Sequence, residues 1–196
     1  KDPLGKLVKM LKEEAEDGSD DLQEMIEDLF DGDEAMQSIV QNLAGTHDDG
    51  IVVDVGGLYG DFGAQAAMWL KRRTLIFEPQ HCYADLIERT IRKNRLEALV
   101  SVINAAVTMH PFITLSAPKD PGLTYAGENA EGASRVRGVR IDDYLKAGDT
   151  IFLLKIDVEG FEGDVLQTAR QALVQHRVRH IVLEYTPHQF LGRGTD

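Results

Sequence analysis

The sequence predicts an α/β fold, a doubly wound and mainly parallel sheet preceded by a small helical N-terminal segment. Three observations carry that expectation. From His47 onward, short apolar β-prone runs alternate with helical stretches, the pattern of parallel strands covered on both faces by crossover helices. The first run, Ile51-Val52-Val53-Asp54-Val55, passes straight into Gly56-Gly57-Leu58-Tyr59-Gly60 and then into a helical pattern. Such a Gly-rich turn brings backbone N–H groups and a positive helix end against a nucleotide. The second run, Thr74-Leu75-Ile76-Phe77, ends in Glu78, where an acid is placed to accept hydrogen bonds from ribose hydroxyls.

Residues 1–45 read as an acidic segment of short amphipathic helices, and residues 46–196 as the main domain. Asp2-Pro3 is a helix-start signal, a capping acid before a proline at the first helical position. Apolar stripes then recur at helical spacing: Leu4, Leu7, Val8, Leu11; Leu22, Met25, Ile26, Leu29, Phe30; and Met36, Ile39, Val40, Leu43. These stripes suit packing on the main domain or on a protein partner. Of the formal net charge of −12, the stretch from Glu13 to Glu34 alone supplies twelve acids with no Lys or Arg. The acidity therefore belongs to this segment and argues against a nucleic-acid-gripping surface. Asp28–Glu34 lacks the spaced ligand ladder of a calcium loop.

In the main domain, the pattern predicts strand 51–55, helix 61–71, strand 74–78, helix 83–94 and strand 100–107. Residues 108–135 read as irregular, with a short strand at Phe112–Leu115 and a loop at 122–134. A short strand at Val136–Ile141 follows, and Asp142-Asp143 can cap a brief helix. Strand 151–157, helix 162–176 and strand 178–185 complete the pattern.

The single cysteine, Cys82, rules out an internal disulfide and a Cys-rich zinc site, which suits a cytoplasmic, reducing setting. No apolar stretch approaches the roughly twenty residues of a membrane span. The chain begins with Lys, so it is expected to be a fragment or a processed form.

The Gly-rich turn distinguishes two cofactors. A dinucleotide fingerprint needs Gly-x-Gly-x-x-Gly, and its second glycine would fall on Leu58. What stands there is Asp54-x-Gly56-x-x-x-Gly60, which resembles motif I of the S-adenosylmethionine-dependent methyltransferases. The sharpest string is Lys155-Ile156-Asp157-Val158-Glu159-Gly160-Phe161-Glu162. With motif I, Phe77-Glu78-Pro79 and Val139-Arg140-Ile141-Asp142-Asp143-Tyr144-Leu145, it resembles the FkbM family of methyltransferases over residues 51–186. Residues 1–45 have no counterpart in that resemblance.

The resemblance implies a Rossmann-like methyltransferase sheet that binds S-adenosylmethionine and O-methylates a hydroxyl of a small molecule, sugar or glycan. Carried over residue by residue, Asp54, Gly56, Gly57 and Gly60 belong to the loop approaching the methionine portion. Glu78 is the ribose acid, Asn104, Ala105 and Ala106 lie beside the adenine, and Asp157 faces the methyl group. A sheet of this family continues past its fifth strand with a helix and an antiparallel strand pair, whereas only Thr186–Asp196 remain here. The C-terminal strands are therefore expected to be missing.

Methyl transfer from a sulfonium is an in-line displacement, so the first task is to hold nucleophile and methyl carbon close and collinear. A hydroxyl acceptor also needs a base or a metal. Ligands of a parallel sheet sit beyond the carboxyl ends of its strands, a zone that holds Asp157, Glu159, Glu184 and His188. Asp157, Glu159 and Glu184 are the candidate catalytic carboxylates, and a metal requirement stays open. Lys155, Asp157 and Glu159 share a face if the strand persists. Lys155 reads as a structural partner for carboxylates in a covered sheet, with Glu184 one candidate for that pairing. Glu78 reads as an exposed strand-tip acid with little structural work, and Glu162 as a first-turn helix acid.

Absences narrow the reaction. No Asn/Asp-Pro-Pro-aromatic string follows the fourth main strand, against adenine or glutamine N-methylation. No cysteine stands as a nucleophile for cytosine C5 chemistry, and no aromatic-plus-basic stripe suggests single-stranded nucleic acid. The expected partner is a small-molecule or glycan acceptor, with no nucleic acid and no membrane span, and the N-terminal helices offer a protein contact. A non-catalytic cofactor-binding or interaction module of the same fold is the alternative.

Overall fold

A computed structural model describes Ser38, Asn42, Leu43 and residues 49–115, 134–158, 160–175 and 177–183. Strands β1 (Ile51–Val55), β2 (Thr74–Phe77), β3 (Val100–Ile103), β7 (Ile151–Ile156) and β8 (Val178–Leu183) form one sheet in the order β3-β2-β1-β7-β8, every pair parallel. Helices α1 (Asp61–Leu70), α2 (His81–Lys93), α3 (Glu162–Thr168) and α4 (Arg170–Val174) are the crossovers among the described residues. A second sheet, β4-β6-β5, joins β4 (Ala106–Val107), β5 (Phe112–Leu115) and β6 (Ser134–Val139), with β5 antiparallel to β6.

The continuous apolar runs of the central strands follow from burial on two faces. Val53, Val55, Leu75, Phe77, Leu154 and Ile156 pack toward α3 and α4 through Val165, Ala169 and Ala172. On the other face, Ile76 packs with Ala64, Ala67, Ile87 and Ile91, while Val52 and Leu153 pack with Phe62 and Ala66. Ile51 pairs with Ile151 but Val52 with Leu153, so the ladder skips Phe152 and turns it toward the α1 side. Leu43 packs on that cluster beside Trp69, Leu70 and Val182. The rest of the three N-terminal stripes lies outside the described residues.

Several expected elements come out divided or shifted. The strand expected over 100–107 breaks after Ile103. The Asn104 amide donates to the carbonyls of Glu78 (2.9 Å) and Pro79 (3.0 Å), and the chain then joins the second sheet as β4. The helix expected over 162–176 divides at Ala169 into α3 and α4. Asp142, expected to cap a helix of its own, instead accepts the N–H groups of Gln171 (2.9 Å) and Ala172 (3.2 Å) at the start of α4. Its own segment, Ile141–Tyr144, is a 3₁₀ turn with Ile141 fully buried. The strand β7 stops at Ile156, one residue early, and β6 begins at Ser134.

Candidate active site

The sheet order reverses between β1 and β7, each the first strand of an opposite wing. Helices leave β1 and β7 toward opposite faces, which opens a crevice at their carboxyl ends. A cavity of about 160 Å³ lies there, where ligands of such a sheet bind. Its walls come from five places: Val55, Gly56 and Leu58 after β1; Phe77 to Gln80 after β2; Ala105 to Thr108 along β4; Ile113 and Leu115 on β5; and Asp157, Val158 and Phe161 after β7.

Gly56 sits at the switch point. Its φ is +83°, and a Cβ there would stand 1.8 Å from the Asp157 carbonyl oxygen, so only glycine lets the two strand ends approach so closely. Gly60 (φ +78°) begins α1, where a Cβ would meet Ile87 at 2.7 Å. The turn closes through Gly60 N–H to the Gly57 carbonyl at 2.6 Å, while Gly56 and Gly57 N–H donate to Phe77 at 3.0 and 3.1 Å.

Glu78 corrects the expectation of an exposed tip. It is 2% exposed and organises the turn: Oε2 accepts the Leu58 N–H at 2.8 Å and Oε1 the Gln80 N–H at 2.7 Å. Leu58 adopts a left-handed φ of +45°, a conformation unfavourable for a leucine and held by this bond. Burial pushes the Glu78 carboxyl up to about 7, held back by the N–H groups of Gln80 and Leu58.

Asp157 borders the cavity at the end of β7, and its N–H donates to Val55 at 3.0 Å. Its Oδ2 accepts from Lys155 Nζ at 3.1 Å, and the same ammonium donates to the Gly56 carbonyl at 3.1 Å. Lys155 also lies 3.6 Å from Oδ1 of Asp54, an ion pair beyond hydrogen-bond length. Burial raises the Asp54 carboxyl against the pull of Lys155. For Lys155 burial acts downward, but Asp54 and Asp157 outweigh it and the ammonium is raised. Among the described residues, the charged partners of Lys155 are thus Asp54 and Asp157.

Of the other expected site residues, Ala105 and Ala106 line the cavity. Asp54, Gly57, Gly60 and Asn104 do not; they act from behind it. Asp54 is fully buried under α1 beside Gly63, and Gly57 packs on Ile76. Glu159, Glu184 and His188 lie outside the described residues. Among the described residues, no group of three or more His, Cys, Asp or Glu is placed to hold a metal ion. No helix among them is long and apolar enough to cross a membrane.

Sequence reasoning missed Thr108, Ile113, Leu115 and Phe161 on the cavity walls. For Ile113 and Leu115 a signal existed, since alternate residues of the expected strand at 112–115 must share one face. For Thr108 none did, because its place depends on the break at Asn104.

A doubly wound sheet with its cavity at the switch point defines a Rossmann-like α/β fold. The chain belongs to the FkbM methyltransferase family: the family's methyltransferase FkbM domain matches residues 47–194. No curated protein matches the chain. Similar solved structures include the N-terminal domain of human METTL16 in complex with SAH, at 14% identity and a TM-score of 0.45, covering 76% of this chain and 54% of that one. A precorrin-6y C5,15-methyltransferase from Geobacter metallireducens GS-15 is 15% identical at a TM-score of 0.46, covering 80% and 65%. A putative O-methyltransferase from Klebsiella pneumoniae is 14% identical at a TM-score of 0.41, covering 87% and 81%. The chain spans less than two thirds of the length of the first two.

Family membership implies S-adenosylmethionine as methyl donor, and the residues present fit it. Gly56 leaves a cradle that a Cβ would fill. Each Glu78 oxygen carries one backbone N–H bond and so keeps a lone pair for a hydroxyl.

Proposed function

We propose that the cavity binds S-adenosylmethionine and that the chain directs methyl transfer to a hydroxyl of a small molecule, sugar or glycan. The observation that carries this reading is Glu78: a buried carboxylate at the end of β2, bordering the same cavity as Gly56 and Asp157. The donor, when bound, supplies an electrophilic methyl group on a sulfonium. The chain's residues do the rest. Glu78 accepts the ribose hydroxyls, Gly56 admits the amino-acid portion, and Ala105 and Ala106 flank the base. Leu58, Val158 and Phe161 keep water from the reacting end. Asp157 has one oxygen committed to Lys155 and the other open to an acceptor hydroxyl, whose proton it takes. Glu159 and Glu184 are the further candidates for that proton or for a metal.

A second reading, a cofactor-binding or interaction module without turnover, draws on one observation: both described cavity carboxylates are already engaged, Glu78 by backbone and Asp157 by Lys155. Calorimetric titration with S-adenosylhomocysteine and with NAD, followed by an acceptor screen with labelled donor, separates these readings. Binding of S-adenosylhomocysteine with label transfer supports the first, and binding without transfer to any acceptor class supports the second. Binding of NAD alone would sink the first reading and leave a nucleotide-binding module. Label arriving on nucleic acid would overturn the acceptor class.

A further inference from the structure

We propose that Asp164 is a positioning residue of the cavity, acting through Thr108 to bolt its β4 wall to the segment that carries Asp157. The proposal rests on reading the cavity as an S-adenosylmethionine site. Thr108 borders the cavity and is 3% exposed. Its hydroxyl donates to Oδ2 of Asp164, the third residue of α3, and its Oγ1 accepts the His110 N–H at 3.2 Å. The Met109 N–H points at the same carboxylate, 3.3 Å from Oδ2 and 3.4 Å from Oδ1. The threonine rotor is thereby locked as donor and acceptor at once, in a charge-assisted contact stronger than a neutral one.

What the contact joins gives it its role. Asp164 stands on the helix that leaves the Asp157–Phe161 segment, and that segment is anchored by Glu162, whose Oε1 accepts the buried Gly160 N–H at 2.8 Å. On the other side, β6 backs the turn after β4. A Cβ on Gly138 would meet the His110 carbonyl oxygen at 1.9 Å and Thr108 Cγ2 at 2.7 Å, so the wall has no room to retreat. Ala105 to Thr108 therefore face Asp157, Val158 and Phe161 across a separation set by Thr108 and Asp164. The plainer role, a first-turn acid serving its own helix, leaves the Thr108 contact without consequence for a ligand.

A ligand that touches one wall is indifferent to that separation, whereas one that spans both depends on it. In the reading above, adenosine rests on the β2 and β4 walls, and S-adenosylhomocysteine reaches on to Gly56 and Asp157. The test is calorimetry of both ligands with the wild-type chain, Thr108→Val, Thr108→Ser and Asp164→Ala, with thermal midpoints recorded beside them. Thr108→Val and Asp164→Ala are expected to lose roughly tenfold or more in S-adenosylhomocysteine affinity, the scale of one charged hydrogen bond. Adenosine affinity is expected to hold within about twofold, since it does not reach across to the Asp157 side. Thr108→Ser, which keeps the hydroxyl, is expected to restore the full ligand's affinity. Should Asp164→Ala fail to fold, the Thr108 pair decides alone. Equal S-adenosylhomocysteine affinity in Thr108→Val and wild type overturns the proposal and leaves the site reading intact. Equal losses for both ligands overturn it too, by assigning the contact to general stability. A wild-type chain that binds no S-adenosylhomocysteine overturns the site reading itself and this proposal with it.

Discussion

Lys155 and Asp54 face each other across the β1–β7 ladder as register partners, Nζ 3.6 Å from Oδ1, in a part of the sheet where Asp54 is fully buried and Lys155 only 7% exposed. This pairing explains an acid inside a central strand. Asp54 does not reach the cavity; it holds the ammonium that in turn grips the Gly56 carbonyl and Asp157. The strand acid thus acts on the site through a lysine.

Removing Lys155 leaves Asp54 buried without a counter-charge. Lys155→Met is expected to cost about 3–5 kcal/mol, the scale for breaking one side of a buried pair. The loss should shrink as pH falls, because a protonated Asp54 needs no partner. Denaturant titration at pH 5 and pH 8 measures both; equal stability of mutant and wild type at pH 8 would place the pair in effective contact with water.

Glu78 should make ligand binding and stability respond to pH in opposite directions. Its folded pKa of about 7 lies above the ordinary 4.5, so between those values the native state keeps a proton that the unfolded chain has released. Stability of the ligand-free protein therefore falls as pH rises through that window. Ribose hydroxyls donate best to the ionised form, so S-adenosylhomocysteine affinity should rise roughly tenfold from pH 6 to pH 8. Glu78→Gln should bind more weakly, by about 1–3 kcal/mol, and without this pH dependence. Calorimetry across the range shows either the slope or its absence.

Gly56→Ala should damage the site more than the fold's other turns would suffer. The left-handed backbone alone costs about 1–2 kcal/mol, and the new Cβ would lie 1.8 Å from the Asp157 carbonyl oxygen. The expected result is loss of S-adenosylhomocysteine binding with a lowered melting midpoint. Wild-type affinity in this variant would mean that β1 and β7 can part without harm to the pocket.

Asp157→Asn keeps shape and removes basicity. With an identified acceptor, turnover should drop by roughly 10²–10⁴-fold, the usual cost of losing a positioned base, while affinity for the donor changes little. A near-normal rate would move the search to Glu159 and Glu184.

A chain beginning at Gly45 should still bind S-adenosylhomocysteine, because the cavity walls start at Val55. It should also be less stable by about 1–2 kcal/mol, since Leu43 packs on the Val52, Phe62 and Phe152 cluster and loses that burial. Calorimetry and a thermal melt of the shortened chain test both halves; a chain that no longer binds the ligand would make the N-terminal segment part of the pocket.

The doubly wound sheet was legible in the sequence because its signals are local. A strand covered on both faces must be apolar throughout, as in Ile51–Val53 and Ile151–Leu154, and a strand-to-helix turn against a ligand needs glycine at Gly56. The spacing of Lys155 and Asp157 likewise placed them on one face before any contact was known. Partnership was not legible. That Lys155 meets Asp54, that Asp142 caps the start of α4, and that Asp164 reaches Thr108 depend on chain segments 29 to 101 residues apart. Periodicity says which way a side chain points; only the packed structure says what stands there.

The same division holds within the site. Residue type alone marked Glu78 as an acid at a strand end, since a carboxylate closing an apolar run has few other uses. The tertiary structure decided its state: burial under Leu58 and Gln80 takes it from water, gives it two backbone donors and raises its pKa. Desolvation is a property of everything around a group, summed over segments far apart in the chain. No window of sequence contains it.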